Sequence, residues 1–106
     1  PVPNIKDTLA TAAYRITQEA LTNIARHAKA NRVDVVLEAE DGVLNLVVSD
    51  DGRGFDPQQL MESDGLGLAG MRERASLAGG SLEIHSRQGS GTQVHFRVAI
   101  DSERPD

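Results

Sequence analysis

From about Lys6 to Lys29 apolar residues recur every three or four positions, with Leu9, Ala13, Ile16, Ala20 and Ile24 forming one stripe. That spacing predicts an amphipathic α-helix, capped near Asp7 and Thr8 and ending before Asn31. The period then changes. Arg32 to Glu40 alternates, with Val33, Val35, Leu37 and Ala39 on one face and Asp34 and Glu38 on the other. Asp41-Gly42 marks a tight hairpin turn. Val43 to Asp50 returns with Leu44, Leu46 and Val48 inward. Leu68, Met71, Ala75 and Ala78 predict a second helix, closed by Gly79-Gly80. Two more alternating strands follow. Ser81 to Gln88 places Leu82, Ile84 and Ser86 on one face, and Thr92 to Ile100 places Val94, Phe96, Val98 and Ile100 inward.

Each strand therefore carries one polar face. Parallel strands covered on both sides read as continuous apolar runs, and these do not. The expected fold class is α+β: a two-layer α/β sandwich with a mostly antiparallel sheet and helices on one face.

With 106 residues the chain suffices for one core, so residues 1–106 are expected to be a single domain. Pro1-Val2-Pro3 and Asp101 to Asp106 have the composition of cut points, which suggests excision from a larger protein. A net charge of −5 argues against a nucleic-acid binder, which needs a cationic face, and 3% aromatics leave little to stack on bases. The absence of cysteine excludes disulfides and thiolate metal sites and fits a reducing, cytoplasmic setting. No apolar run reaches the ~18 residues needed to cross a bilayer, so direct membrane insertion of this domain is not expected.

The candidate chemistry gathers where the second strand stops. Val47-Val48-Ser49-Asp50-Asp51-Gly52-Arg53-Gly54-Phe55 puts a carboxylate at a strand end beside bare backbone, with an aromatic following. A second glycine cluster, Gly65-Leu66-Gly67-Leu68-Ala69-Gly70, leads into the second helix. Backbone N–H groups and the positive dipole end at such a helix start suit phosphate oxygens. The cluster fits G-x-G-x-x-G, yet the polar Gln58 to Asp64 is no buried strand, so a dinucleotide fold is not indicated. No Gly-Lys-Ser/Thr follows, which excludes a P-loop. Asp56 to Asp64 has no period and is a candidate flap over a ligand or an ordinary surface loop. On the first helix Glu19 and Asn23 share a face, with Arg26 and His27 a turn further on; an Arg15–Glu19 pair on a solvated flank is the simpler account. His85 and His95 fall on the polar sheet face as solvated residues, and no zinc-ligand spacing occurs. A hydrolase pair of Glu19 and Asp50 has no sugar-stacking surface beside it.

Glu19-Ala-Leu-Thr-Asn23-Ile-Ala-Arg26-His27, Asp50-Asp-Gly52-Arg-Gly54-Phe55, Gly65-Leu-Gly67-Leu-Ala-Gly70-Met-Arg-Glu-Arg74 and Gly89-Ser-Gly-Thr92 occur in this order. Together they resemble the N box, the two G boxes and the late Gly-x-Gly-Thr element of the GHKL (Bergerat-fold) ATPase superfamily. The resemblance spans about residues 10–100, and within the superfamily it is to sensor histidine kinases of the NarX/DesK type.

The resemblance implies ATP and Mg²⁺ as cofactors. It implies ATP binding by Asn23, Arg26, His27, Asp50, Gly52, Gly54, Phe55, Gly65, Leu66, Gly67, Leu68 and Thr92. Asp50 would accept from the adenine amino group, Gly54 would let the base approach, and Thr92 would support that contact. Asn23 would offer Mg²⁺ a neutral oxygen, with Glu19 a further metal candidate. Glu19 and Asn23 are the implied catalytic residues, and residues 56–64 the ATP lid. The implied partners are the dimerisation and phosphoacceptor helices of a parent kinase and, indirectly, a NarL-like response regulator. Neither those helices nor an acceptor histidine stands in this sequence; His27 lies within the N box. An anti-sigma-factor-type serine kinase, a regulatory binding module of the same superfamily, is the alternative.

Overall fold

The computed structural model describes residues 7–54 and 67–100. Helix α1 spans Asp7–Asn23 and runs on into a π-helical turn, Ile24–Ala28. Strands β1 (Val33–Glu40) and β2 (Val43–Asp50) follow, then helix α2 (Leu68–Leu77) and strands β3 (Ser81–Arg87) and β4 (Gly91–Ala99). The sheet order is β1-β2-β4-β3 and every pairing is antiparallel. Both helices pack on one face of it. This is the expected α+β sandwich.

The hairpin turn is legible in the two residues that make it. Asp41 and Gly42 both have positive φ (56° and 78°), which matches the twist of the flanking strands and sets Glu40 opposite Val43. Helix α2 ends as Gly79-Gly80 predicts. Gly79, at φ 86°, donates to Ser76 O, and Gly80 donates to Ala75 O, which satisfies two carbonyls the last turn would leave open.

The core lies between the layers. Leu9, Ala12, Ile16 and Ala20 descend from α1, and Leu68, Met71 and Ala75 from α2. They meet Leu44, Leu46, Val48, Leu82, Val94, Phe96 and Val98 of the sheet. Phe96 and Ile16 are fully buried, and the register sets Phe96 between Leu46 and Leu82. Side chains of this size contribute ~1.5–3 kcal/mol each on full burial.

Three local expectations change. Ala12 rather than Ala13 carries the fully buried stripe of α1. The helix does not stay α-helical to Lys29: its last turn widens into a π turn and Lys29 closes it in the left-handed conformation, at φ 51°. Strand β1 has no covered face. Val35 and Leu37 do share a face with Val48 and Leu46, but they remain 48% and 58% exposed. The helices lie over β2, β4 and β3, and the sheet's first strand extends beyond them.

Candidate functional site

A recess opens between the end of α1 and the sheet. Ala20, Asn23, Ile24 and Ala28 form its helical wall. Val48 and Asp50 come from β2, Thr92 and Val94 from β4, Ile84 from β3 and Leu68 from the start of α2. The lining is apolar except for Asn23, Asp50 and Thr92. An apolar slot with a few fixed polar groups suits a flat, largely apolar ring that carries a hydrogen-bond donor.

The antiparallel register produces this meeting. Asp50 is the last residue of β2 and pairs with Thr92 at the start of β4, which in turn pairs with Ser86 of β3. Val48, Val94 and Ile84 lie one pleat further along the same face. Asp50 Oδ1 accepts from the backbone N–H of Gly52 at 2.7 Å, which fixes the plane of the carboxylate. Thr92 Oγ1 shares a 2.7 Å hydrogen bond with Ser86 Oγ. Ser86, which motif reading passes over, thereby supports a residue of the recess. Its signal was a hydroxyl on the same strand face as the apolar Leu82 and Ile84.

The glycines of this corner serve packing. A Cβ on Gly52 would collide with the carbonyl oxygen of Ala28, and one on Gly54, at φ 67°, with that of Arg87. The loop is stitched down on both sides: Arg53 N–H donates to Ala28 O at 2.8 Å, and Gly89 N–H donates to Arg53 O at 2.6 Å. Residues 52–54 thus lock the end of the π turn to the β3–β4 turn. For Gly54 the structure provides this reason beside the one implied for an approaching base.

Glu19 and Gly67 come together across the layer. A Cβ on Gly67 would overlap the Glu19 carboxylate, so the glutamate sits against the first turn of α2. Arg15 is not its partner: Arg15 donates to Gln18 at 3.4 Å and lies over the Tyr14 ring. Glu19, Arg26 and His27 do not line the recess. His27 is half-buried and Arg26 exposed, both on the π turn that continues from Asn23. Gly67 caps α2 at φ 66°, and Leu68 reaches the recess. Phe55, Gly65, Leu66 and the flap at 56–64 lie outside the described residues. His85 bonds Glu83 at 3.1 Å and His95 bonds Asn45 at 2.8 Å, both on the far face of the sheet. Among the described residues no three His, Cys, Asp or Glu side chains cluster to hold a metal alone.

Asp51 departs from Asp50 in direction. Its Oδ1 accepts from the backbone N–H groups of Asn31 and Arg32, each at 2.9 Å. These two bonds, Arg32's first, hold its carboxyl below the usual carboxylate range. A carboxylate with a depressed folded-state value adds stability that is full above its unfolded value and lost as pH falls through the folded one. Asp51→Asn should therefore flatten the fall in stability below about pH 4, followed by denaturant melts across that range. An unchanged acid limb would show that the two bonds carry no charge-dependent stability.

Residues 8–102 match the family described as histidine kinase-, DNA gyrase B-, and HSP90-like ATPases. The chain is 46% identical over 87 residues to the sensor histidine kinase LiaS of Bacillus subtilis (strain 168), covering 82% of this chain and 24% of that protein. It is 37% identical over 92 residues to the signal transduction histidine-protein kinase/phosphatase DegS of Brevibacillus brevis, covering 87% and 24%. The chain thus spans about a quarter of the length of these relatives. Among solved structures, the histidine kinase domain of the Erythrobacter litoralis EL346 blue-light activated histidine kinase superposes with a TM-score of 0.75 at 26% identity, over 89% of this chain and 46% of that one. Acinetobacter baumannii AdeS, a histidine kinase, shares the fold with a TM-score of 0.71 at 20% identity, over 86% and 47%.

Proposed function

We propose, from the premise that this chain belongs to the family of histidine kinase-, DNA gyrase B-, and HSP90-like ATPases, that it is the ATP-binding catalytic domain of a sensor histidine kinase. The observation that carries this is the recess itself. It brings Asn23, Asp50 and Thr92 from three separate motifs into one apolar slot. The relatives, both named as histidine kinases, support this over the serine-kinase alternative.

In this account the adenine ring lies against Val48, Ile84 and Val94, and Asp50 accepts from its exocyclic amine. One Asp50 oxygen is engaged by Gly52 N–H, and the carboxylate keeps further acceptor capacity for the base. Thr92, steadied by Ser86, faces the same edge. The phosphates then extend along the helical wall toward Gly67 and the start of α2, where backbone N–H groups favour anions. Arg26 and His27 flank that path from the π turn.

Mg²⁺ fits the donors present. Asn23 offers a neutral amide oxygen, and a small hard cation that keeps its waters and takes phosphate oxygens needs few protein ligands. When bound, the cation neutralises charge on the transferred phosphoryl group. Glu19, set against Gly67, would orient the acceptor side of that group. The phosphoryl acceptor would be a histidine on a separate dimerisation domain, with a NarL-like response regulator downstream.

Calorimetric titration with ATP tests this, with and without Mg²⁺, on the wild type and on Asn23→Ala. The variant should lose about tenfold in affinity when Mg²⁺ is present and little when it is absent, since it removes one charge-assisted contact. Equal loss in both conditions would take Asn23 out of the metal site. No binding by the wild type would overturn the nucleotide assignment.

A further inference from the structure

The two consecutive aspartates divide their work. Asp50 faces the recess, while Asp51 turns to the segment that joins the π turn to β1. Three hydrogen bonds hold it there. Its Oδ1 takes both the Asn31 and Arg32 N–H groups at 2.9 Å, and its own N–H donates to Arg32 O at 3.2 Å. Immediately beyond it, Gly52 packs on the Ala28 carbonyl and Arg53 N–H binds that same oxygen at 2.8 Å.

Residues 51–53 and 28–32 are therefore laced side to side. The first segment follows directly on Asp50, and the second begins at the end of the helical wall that carries Asn23. That wall ends in a π turn, closed by i→i+5 rather than i→i+4 hydrogen bonds. The lacing ties that turn to the end of β2. Two of its bonds end on a side chain, and both are accepted by Asp51 Oδ1.

We infer that Asp51 is a positioning residue for the nucleotide site, setting the distance between the Asp50 carboxylate and the helical wall through the Asn31 and Arg32 amides. This rests on the recess being the nucleotide site. Asp51 need not touch the ligand; it acts through the backbone on either side of the slot.

An acceptor oxygen at the right reach is what the geometry requires, and charge is secondary. Asparagine keeps that oxygen; alanine removes it. ATP affinity with Mg²⁺ should fall about tenfold in Asp51→Ala, as two amides lose their acceptor, and stay within about twofold of wild type in Asp51→Asn. Amide hydrogen exchange at Asn31 and Arg32 should quicken in the alanine variant and remain slow in the asparagine variant. Asp51→Ser, whose hydroxyl is too short to reach both amides, stands in should the alanine variant fail to fold, and should behave as alanine does.

Three results would overturn the assignment. Asp51→Ala could bind ATP as the wild type does while the two amides exchange faster. Asp51→Asn could lose as much affinity as Asp51→Ala. The two amides could exchange alike in all variants. A wild type that binds no ATP would instead bring down the nucleotide reading, and this assignment with it.

Discussion

Asp50→Asn should lower ATP affinity by at least about a hundredfold while leaving the fold intact. Two terms add. The carboxylate's hydrogen bond to a ligand amine, worth ~1.5–3 kcal/mol because the acceptor is charged, is lost. An amide placed there can also turn its own NH₂ toward that amine, setting donor against donor. Each ~1.4 kcal/mol is a factor of ten, so the sum reaches two decades. The fold should survive because Asp50 is only half-buried and its backbone pairing with Thr92 does not involve the side chain. An asparagine oxygen can still accept from Gly52 N–H. Titration of both proteins with ATP, beside their circular dichroism spectra, checks both halves. Wild-type affinity in the variant would remove Asp50 from the site.

The second large effect is on stability. Phe96→Ala should cost ~3–5 kcal/mol, the range for a buried aromatic cut back to a methyl group. Phe96 is fully buried on a central strand, and its neighbours come from both adjacent strands, with Leu46 on one side and Leu82 on the other. Strands bonded on both sides cannot close in readily on the space left behind. That loss is a large fraction of the margin of a folded chain, commonly ~5–15 kcal/mol. Denaturant unfolding should show a sharply lowered midpoint, and ATP should partly restore it if the nucleotide binds the folded state alone. A midpoint within ~1 kcal/mol of wild type would mean that the layers can collapse onto the gap.

The sequence carried the layer architecture because its periods were clean. Leu44, Leu46 and Val48 alternate without interruption, as do Val94, Phe96 and Val98, and the Asp41-Gly42 turn fixes one register outright. Strand β1 misled for a physical reason. Alternation reports which face a residue is on, and whether a helix reaches that face depends on how far the second layer extends. Val35 and Leu37 are on the right side of the sheet and still exposed. Composition cannot show where the cover stops.

Asp50 and Thr92 line the recess and had been singled out through their motifs. Ser86 was hidden because its partner depends on a β3–β4 register that the turn Gln88-Gly89-Ser90 sets only in three dimensions. Asp51 was masked by its neighbour: in a run of two aspartates, the pleat that separates their directions is not written in the residue types. The π turn was equally silent, since Ile24-Ala-Arg-His-Ala28 keeps a helical composition and differs only in the number of residues per turn.

The strand order has a further consequence for how the two walls of the recess behave. Asp50 and Thr92 sit on β2 and β4, each bonded on both sides, so fraying of an outer strand leaves their mutual pairing whole. The opposite wall ends in a widened turn whose anchorage is the lacing to residues 51–53. One jaw of the recess is therefore held by strand pairing and the other by its lacing to the loop that follows β2. The spacing of the two jaws is thus set by the hydrogen bonds of one short loop, while the pairing of Asp50 with Thr92 is set by the sheet.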